Sequence, residues 1–232
     1  MEIQKENIQA VKPLIGVPVY GDHECLEAMI TSLLQSTNWF DRIIIIESDG
    51  DLDYWNKWEK LKDSIWRIEV IHTQKEGPLK AYNKLFEIAK KENKDLFITQ
   101  TDVIFPRLYK RDWLKIMWDI AQLPKSGLII PINGGGVSGS DYLNGFNWVG
   151  GWATFISRKC WEIFGGYDEN YIKGWGVDID MTYQIAQKYE IMKMNYWVDH
   201  HMMNERKHET NPESQKEMKQ AGDYFKQKWG IK

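Results

Sequence analysis

The hydrophobic pattern of the first half of the chain switches repeatedly between short apolar runs and longer stretches with helical spacing. The short runs predict four strands, at residues 14–19, 43–46, 68–71 and 95–100. Helical spacing marks the segments between them, at residues 26–34, 54–61 and 79–89. Strands that alternate with helices are typical of an α/β fold with a mostly parallel sheet and helices on both faces. Ligands bind beyond the carboxyl ends of the strands in such sheets.

The second half of the chain is less regular and predicts a smaller, partly antiparallel part of the fold. Helices are predicted at residues 113–120 and 158–164, and strands at residues 127–132, 152–157 and 191–198. A further helix should begin near Asp178, and an amphipathic C-terminal helix should follow Pro212. Residues 133–151 are rich in glycine and show little periodicity, so we expect a loop that lies over the bound ligand.

Composition narrows the function classes. The chain of 232 residues has 30 Lys and Arg against 33 Asp and Glu, a balance that argues against a nucleic-acid-binding protein. Many of the aromatic residues lie beside glycine-rich stretches, which favours a ligand cleft. Residues 1–12 are polar and the longest strongly apolar run is 43–46, so neither a signal peptide nor a membrane span is predicted. A cytoplasmic protein is the simplest expectation.

An acid and two histidines stand where strands end. Asp102 follows the strand at 95–100, and a carboxylate there can hold a divalent cation on a diphosphate, although it can also simply cap a loop. His200 and His201 follow the last predicted strand, and either imidazole could complete a metal site with Asp102. Adjacent side chains point in different directions, so we expect at most one of the two histidines to bind.

Two acids mark the start of the helix near Asp178. Asp178 and Asp180 are two residues apart, so they do not share a helical face, and one can face a cleft while the other holds a neighbouring segment. A carboxylate within reach of an acceptor hydroxyl can act as a general base, and Asp178 is the candidate. The alternative is that Asp178 caps the helix. Trp152 and Trp175 could offer stacking faces for a sugar ring.

Several short motifs follow one another in order along the chain. Residues 18–20 look like a P-x-Y strand end, residues 45–50 like V-D-D-G-S, and residues 77–83 occupy the place of G-x-x-x-A-R-N. Residues 165–168 look like G-G-F-D, and residues 176–180 like G-E-D-x-D. In this order the motifs resemble those of family 2-type glycosyltransferases with the GT-A fold, over about residues 14–201.

Three positions depart from that family pattern. Tyr82 stands where Arg is common, Gln100 replaces the first acid of D-x-D, and Val177 replaces the Glu of G-E-D-x-D. The second acid of D-x-D, which usually binds metal, is kept as Asp102, and the acid that usually acts as base is kept as Asp178. The departures bear on metal affinity and donor identity more than on the fold.

The resemblance implies a set of site residues. The implied donor-binding residues are Pro18, Val19, Tyr20, Glu47, Asp49, Lys80, Asn83, Thr101 and Asp102. The implied acceptor-binding residues are Trp152, Trp175, Gly176 and Asp180. Asp102, with His200 or His201, would hold Mn²⁺ or Mg²⁺, and Asp178 would be the catalytic base.

We therefore expect an inverting, metal-dependent glycosyltransferase that moves a sugar from a nucleotide diphosphate sugar to an acceptor hydroxyl. A UDP-sugar is the first expectation for the donor, with dTDP- and GDP-sugars as alternatives. The acceptor would be a glycan, a lipid-linked sugar reached by peripheral membrane association, or a protein. Residues 1–232 would form one GT-A domain, with a nucleotide-sugar half at about 13–130, an acceptor and catalytic half at about 131–205, and a C-terminal helix at 206–232.

Two other functions stay open at this point. A sugar-phosphate nucleotidyltransferase normally has a glycine-rich, basic loop after the first strand, and residues 18–22 are neither. A catalytically inactive module that binds nucleotide sugars or carbohydrate is favoured by Gln100 and Val177, because both replace acids of the family pattern. Such a module would bind the donor without turnover.

Overall fold

The fold is organised around one large sheet and one very small one. The computed structural model describes residues 11–19, 21, 23–48, 54–56, 67–74, 77–108, 111–132, 149–200 and 211–231. The strands of this part of the chain are β1 (Leu14–Val19), β2 (Ile43–Glu47), β3 (Ile68–His72), β4 (Leu96–Thr99), β5 (Val103–Ile104), β6 (Ser126–Pro131), β7 (Ala153–Ile156), β8 (Glu190–Met194) and β9 (Asp199–His200).

The large sheet is mostly parallel, as predicted. Its seven strands lie in the order β3-β2-β1-β4-β7-β6-β8, and β1 to β4 are parallel to one another. The strand β7 runs antiparallel to both of its neighbours, β4 and β6, which places the antiparallel part in the second half of the chain. The expected α/β fold class is therefore confirmed. The strands β5 and β9 form a separate antiparallel pair.

Five longer helices in the described part of the chain pack on the sheet. They are α1 (His23–Ser36), α2 (Pro78–Lys91), α3 (Trp113–Ala121), α4 (Val177–Ala186) and α5 (Pro212–Trp229). The helices lie on two sides of the sheet, each with its own apolar core. Helices α1 and α3 contribute to one core, and α2, α4 and α5 contribute to the other. Side chains of strand β2 contribute to both cores. Ile43 and Ile45 belong to the first core, and Ile44 and Ile46 belong to the second. Burial on both faces explains why this run shows no polar alternation.

Two predicted segments differ in detail from the structure, and a third is described only in part. The predicted strand at 191–198 is too long, because β8 ends at Met194 and a tight turn follows, in which the N–H of Tyr196 donates to the carbonyl of Met194 at 2.7 Å. The predicted helix at 158–164 is a 3₁₀ helix over Arg158–Glu162. Of the predicted helix at 54–61, residues 54–56 are helical and the rest lies outside the described residues. The glycine-rich segment at 133–148 also lies outside them.

The helix α5 is held to α4 by a buried carboxylate. Asp180, 1 % exposed, accepts from the indole N–H of Trp229 at 2.7 Å and lies 3.0 Å from the ammonium of Lys228. The same ammonium lies 2.8 Å from Asp168, which also accepts from the hydroxyl of Tyr224 at 2.9 Å. Burial alone would raise the pKa of Asp168, but the hydrogen bond and charge of Lys228 lower it to about 2.

Within the described part of the chain, no helix combines the length and apolar character that crossing a bilayer requires.

The buried pair between Lys228 and Asp180 yields a stability prediction. Lys228→Met keeps most of the side-chain volume but leaves the buried Asp180 carboxylate without its cation, so we expect the free energy of unfolding to fall by about 3 kcal/mol. Urea unfolding followed by tryptophan fluorescence measures this loss. The matched control is Lys115→Met, which breaks an exposed pair with Asp119 and should cost less than about 1 kcal/mol. Equal losses in the two variants would contradict the assigned role of Asp180.

Candidate active site

The small sheet brings Asp102 and His200 together. After β4 the chain turns through Gln100 and Thr101, and β5 then pairs with β9 so that Val103 lies opposite His200. The imidazole Nε2 of His200 consequently lies 3.2 Å from Oδ2 of Asp102. The ring of Trp152 stacks on that imidazole, with centroids 4.5 Å apart and planes 8° from parallel, so the orientation of His200 is fixed by a flat apolar contact.

The chemistry of this pair fits a divalent cation. Oδ2 of Asp102 and Nε2 of His200 are both buried and lie within ion-pair distance of each other, and neither has a hydrogen-bond partner among the described residues. Buried polar atoms normally have partners, so two converging atoms without one point to a ligand that binds both. A carboxylate and an imidazole suit Mn²⁺, and the carboxylate also suits Mg²⁺. The described residues contain no cluster of three or more ligating side chains.

Asp178 lies in the first turn of α4, which begins after a glycine in the left-handed region. Gly176 has φ 83°, and a Cβ there would lie 3.3 Å from the ring of Tyr171, so the turn that presents Asp178 requires glycine. The Asp178 carboxylate accepts from the N–H of Ile179 at 2.9 Å. Burial raises the pKa of Asp178 to about 6, although backbone N–H groups of Ile179 and Gly151 partly oppose the rise.

Asp178 faces a cleft that combines residues from both halves of the chain. The cleft has a volume of about 290 Å³, and its described lining residues are Pro78, Leu79, Tyr82, Gln100, Gly151, Tyr167, Lys173, Gly174, Trp175, Gly176, Val177 and Asp178. Three of the predicted site residues, Asp178, Trp175 and Gly176, are therefore brought together. Gln100 connects this cleft to the other predicted site, because it lies two residues before Asp102 in the same turn.

Two tyrosines and a glutamine form the floor between the two sites. The amide of Gln100 donates to the hydroxyl of Tyr82 at 3.1 Å, and the rings of Tyr82 and Tyr167 lie 5.2 Å apart. Burial raises the pKa of Tyr82 to about 12, with smaller contributions from the nearby charges of Asp178 and Asp102, while the hydrogen bond from Gln100 opposes the rise. The sequence pattern predicts no ligand contact for these three residues. The available signal was that Tyr82 and Gln100 both depart from the family pattern, and the structure shows that these departures are in contact.

The remaining predicted donor residues are spread over the carboxyl ends of the first strands. Pro18 and Val19 end β1, and Glu47 ends β2, where its buried carboxylate lies 2.8 Å from Nδ1 of His72. Thr101 lies in the turn before Asp102, and Lys80 is exposed in the first turn of α2. Tyr20, Asp49 and His201 lie outside the described residues.

Three residues predicted to contact a ligand also contact other residues of the protein. The side-chain amide of Asn83 binds the turn at 165–168: it accepts from the N–H of Tyr167 at 2.7 Å and donates to the carbonyl of Tyr167 at 3.0 Å. Trp152 stacks on His200. Asp180 faces α5 and does not line the cleft with Asp178, because residues two apart on a helix point in different directions. In the structure Asp180 binds Lys228 and Trp229 of α5, where an acceptor contact was expected.

The order of the motifs agrees with a comparison against protein families. The model described as Glycosyl transferase family 2 matches residues 14–136, more than half of the chain. The chain belongs to this family. The match covers β1 to β6 and includes Asp102 and Gln100, while Asp178 and His200 lie beyond it. No curated protein sequence matches this family 2 domain.

Solved structures confirm the GT-A fold of the family 2 domain at low sequence identity. The mannosyltransferase PcManGT from Pyrobaculum calidifontis, solved with GDP-Man and Mn²⁺, is 15 % identical with a TM-score of 0.58, over 81 % of this chain and 56 % of that one. GalNAc-T7, solved with UDP, GalNAc and Mn²⁺, is 13 % identical with a TM-score of 0.61, over 84 % and 44 %. TarS 1-349 from S. aureus, solved with UDP, is 14 % identical with a TM-score of 0.56, over 80 % and 59 %. The chain thus covers less than two thirds of each of these structures.

The raised pKa of Asp178 predicts that this residue lowers stability at neutral pH. The native carboxyl keeps its proton to a higher pH than the unfolded one, so wild-type stability should fall as pH rises from about 4 to about 6 and then level off. Asp178→Asn removes this titration. We expect the variant to be more stable than wild type by about 2 kcal/mol at pH 7, with the difference shrinking as the pH falls from about 6 to about 4. Urea unfolding at pH 4, 5.5 and 7 measures it, and a difference that does not change with pH would contradict the burial of this group.

Proposed function

We propose that the chain is an inverting, metal-dependent glycosyltransferase with Asp178 as general base and a UDP-sugar as the first expectation for its donor. The observation that carries this proposal is the arrangement around the Gln100 and Tyr82 floor. A candidate base lies on one side, and the buried carboxylate–imidazole pair of Asp102 and His200 lies on the other. Family membership and the GT-A fold support the reaction class.

The donor end of the proposed site lies beyond the carboxyl ends of β1 to β4. Asp102 and His200 would hold the cation, and Pro18, Val19 and Glu47 at the neighbouring strand ends would face the nucleoside. A divalent cation at this pair would neutralise diphosphate charge and so improve the nucleotide as leaving group. Support comes from the nucleotide and Mn²⁺ named in the PcManGT and GalNAc-T7 structures.

Asp178 would perform the proton transfer. With a pKa of about 6, its carboxylate is ionised at neutral pH and still basic enough to accept a proton from an acceptor hydroxyl. The hydroxyl oxygen would form a bond to the anomeric carbon while the bond from that carbon to the diphosphate oxygen breaks. One displacement of this kind inverts the anomeric configuration. Trp175 and Gly176, beside Asp178, would bound the acceptor, which we propose to be a glycan or another hydroxyl compound.

Replacing the base should separate binding from turnover. Asp178→Asn keeps the shape and the hydrogen bond from Ile179 but cannot accept the proton, so we expect transfer to fall by at least about a thousandfold while donor affinity changes less than about threefold. Calorimetry with UDP-sugars and a radiolabelled transfer assay measure the two quantities. Asp119→Asn is the matched control, since Asp119 is exposed on α3. If a folded Asp178→Asn protein still transfers sugar at the wild-type rate, Asp178 is not the general base.

Replacing the metal pair should abolish the metal dependence of donor binding. UDP, dTDP and GDP and their sugars are titrated into wild type, Asp102→Ala and His200→Ala, with Mn²⁺, with Mg²⁺ and with chelator. We expect one nucleotide class to bind wild type at least about tenfold more tightly with the cation, and neither variant to show this gain. No binding of any nucleotide by folded wild-type protein would contradict the proposed function. An unchanged gain in both variants would place the cation elsewhere.

A further inference from the structure

The described lining of the cleft holds one acidic and one basic side chain. Its polar groups are the carboxylate of Asp178, the amide of Gln100 and the hydroxyls of Tyr82 and Tyr167. Lys173 is the one basic side chain among the described lining residues. The sugar of the donor would have to lie between the Asp102–His200 pair and Asp178, and therefore against this surface. Its charge preference then depends on whether Lys173 is available to the ligand.

Lys173 is already neutralised by α5. Its ammonium lies 2.6 Å from Oε1 of Glu217, whose side chain is 10 % exposed, while that of Lys173 is 63 % exposed. The other carboxylate oxygen of Glu217 accepts from the indole N–H of Trp175 at 3.3 Å. Glu217 is the less exposed partner and is also held by Trp175, so it fixes the position of the ion pair. Glu217 therefore offsets the charge of Lys173 and at the same time orients Trp175.

The floor of the cleft, formed by Gln100 and Tyr82, carries no charge. Gln100 and Tyr82 stand where the family pattern has an acid and an arginine, and they form a neutral hydrogen bond of 3.1 Å. Neither residue can offer a positive charge to a ligand. An amide and a hydroxyl match the hydroxyl groups of an uncharged sugar, which donate and accept hydrogen bonds.

We propose that the donor sugar is uncharged and that Glu217 is a specificity-determining residue that excludes sugars carrying a carboxylate. This inference rests on the proposed function, since it assumes that the donor sugar lies in this cleft. A uronic acid would bring a negative charge close to Asp178 without meeting an unpaired cation in the described lining. Burying like charges together is unfavourable, and selectivity of this kind arises from repulsion as much as from attraction.

Donors that differ in a single group test the charge preference. UDP-glucose is compared with UDP-glucuronate, and UDP-galactose with UDP-galacturonate, because each pair differs only at C6. Free UDP is titrated into the same protein for comparison. All titrations contain Mn²⁺ and are measured by calorimetry. If GDP is the nucleotide that binds, GDP-mannose and GDP-mannuronate take their place. We expect the wild type to bind the neutral member of a pair at least about tenfold more tightly.

A single substitution tests the role of Glu217. Glu217→Gln removes the charge that neutralises Lys173 but keeps an oxygen that can accept from Trp175, so Lys173 becomes available to an anionic sugar. We expect the preference for the neutral donor to shrink by about fivefold or more. The double variant Glu217→Gln with Lys173→Met should restore the preference, and the control Asp119→Asn should leave it unchanged. Melting temperatures establish that each variant is folded.

The outcomes distinguish this inference from the proposed function. If the free nucleotide binds wild type but uronic acid donors bind as well as neutral ones, the charge preference is overturned and the glycosyltransferase proposal stands. If the preference exists but does not change in folded Glu217→Gln, Glu217 is not its source and that part of the inference fails. If no nucleotide binds wild type, the proposed function itself fails.

Discussion

The buried carboxylate of Asp180 is the contact on which the rest of the site depends. Through Lys228 and Trp229 it fixes α5 against α4, and α4 carries Asp178 on a different face of its first turn. The same docking of α5 brings Glu217 to Lys173 and Trp175 at the edge of the cleft. One helical turn thus directs Asp180 to packing and Asp178, the proposed base, to the cleft. The C-terminal helix therefore supports the candidate site.

The two halves of the site are held by different physical means. Asp178 is positioned by helix geometry and by a glycine that permits the turn before α4. Asp102 and His200 are positioned by the register of two-residue strands and by stacking of Trp152 on the imidazole. Between them lies the hydrogen bond between Gln100 and Tyr82, which couples α2 to the turn after β4. The two side chains that depart from the family pattern are thus hydrogen-bonded to each other.

The sequence predicted the sheet well and the side-chain partners poorly. The strand at 14–19 was predicted with its bounds, because a continuous apolar run between breakers leaves little freedom. Their spacing alone predicts that the side chains of Asp178 and Asp180 point in different directions. The partners of Asp180 cannot be predicted in this way, because Lys228 and Trp229 of α5 lie 48 and 49 residues further along the chain. The contact between Gln100 and Tyr82, and the stacking of Trp152 on His200, link residues that lie far apart in sequence. Such pairs carry no periodic signal, and only the folded chain brings them together.

The most direct test of the account is anomalous diffraction at the manganese edge from crystals of the chain grown with UDP and Mn²⁺. The account predicts one strong anomalous peak within bonding distance of Oδ2 of Asp102 and Nε2 of His200, with the diphosphate of UDP beside it and the cleft at Asp178 open to the missing sugar. A peak at other residues, with UDP bound away from the carboxyl ends of β1 to β4, would contradict it.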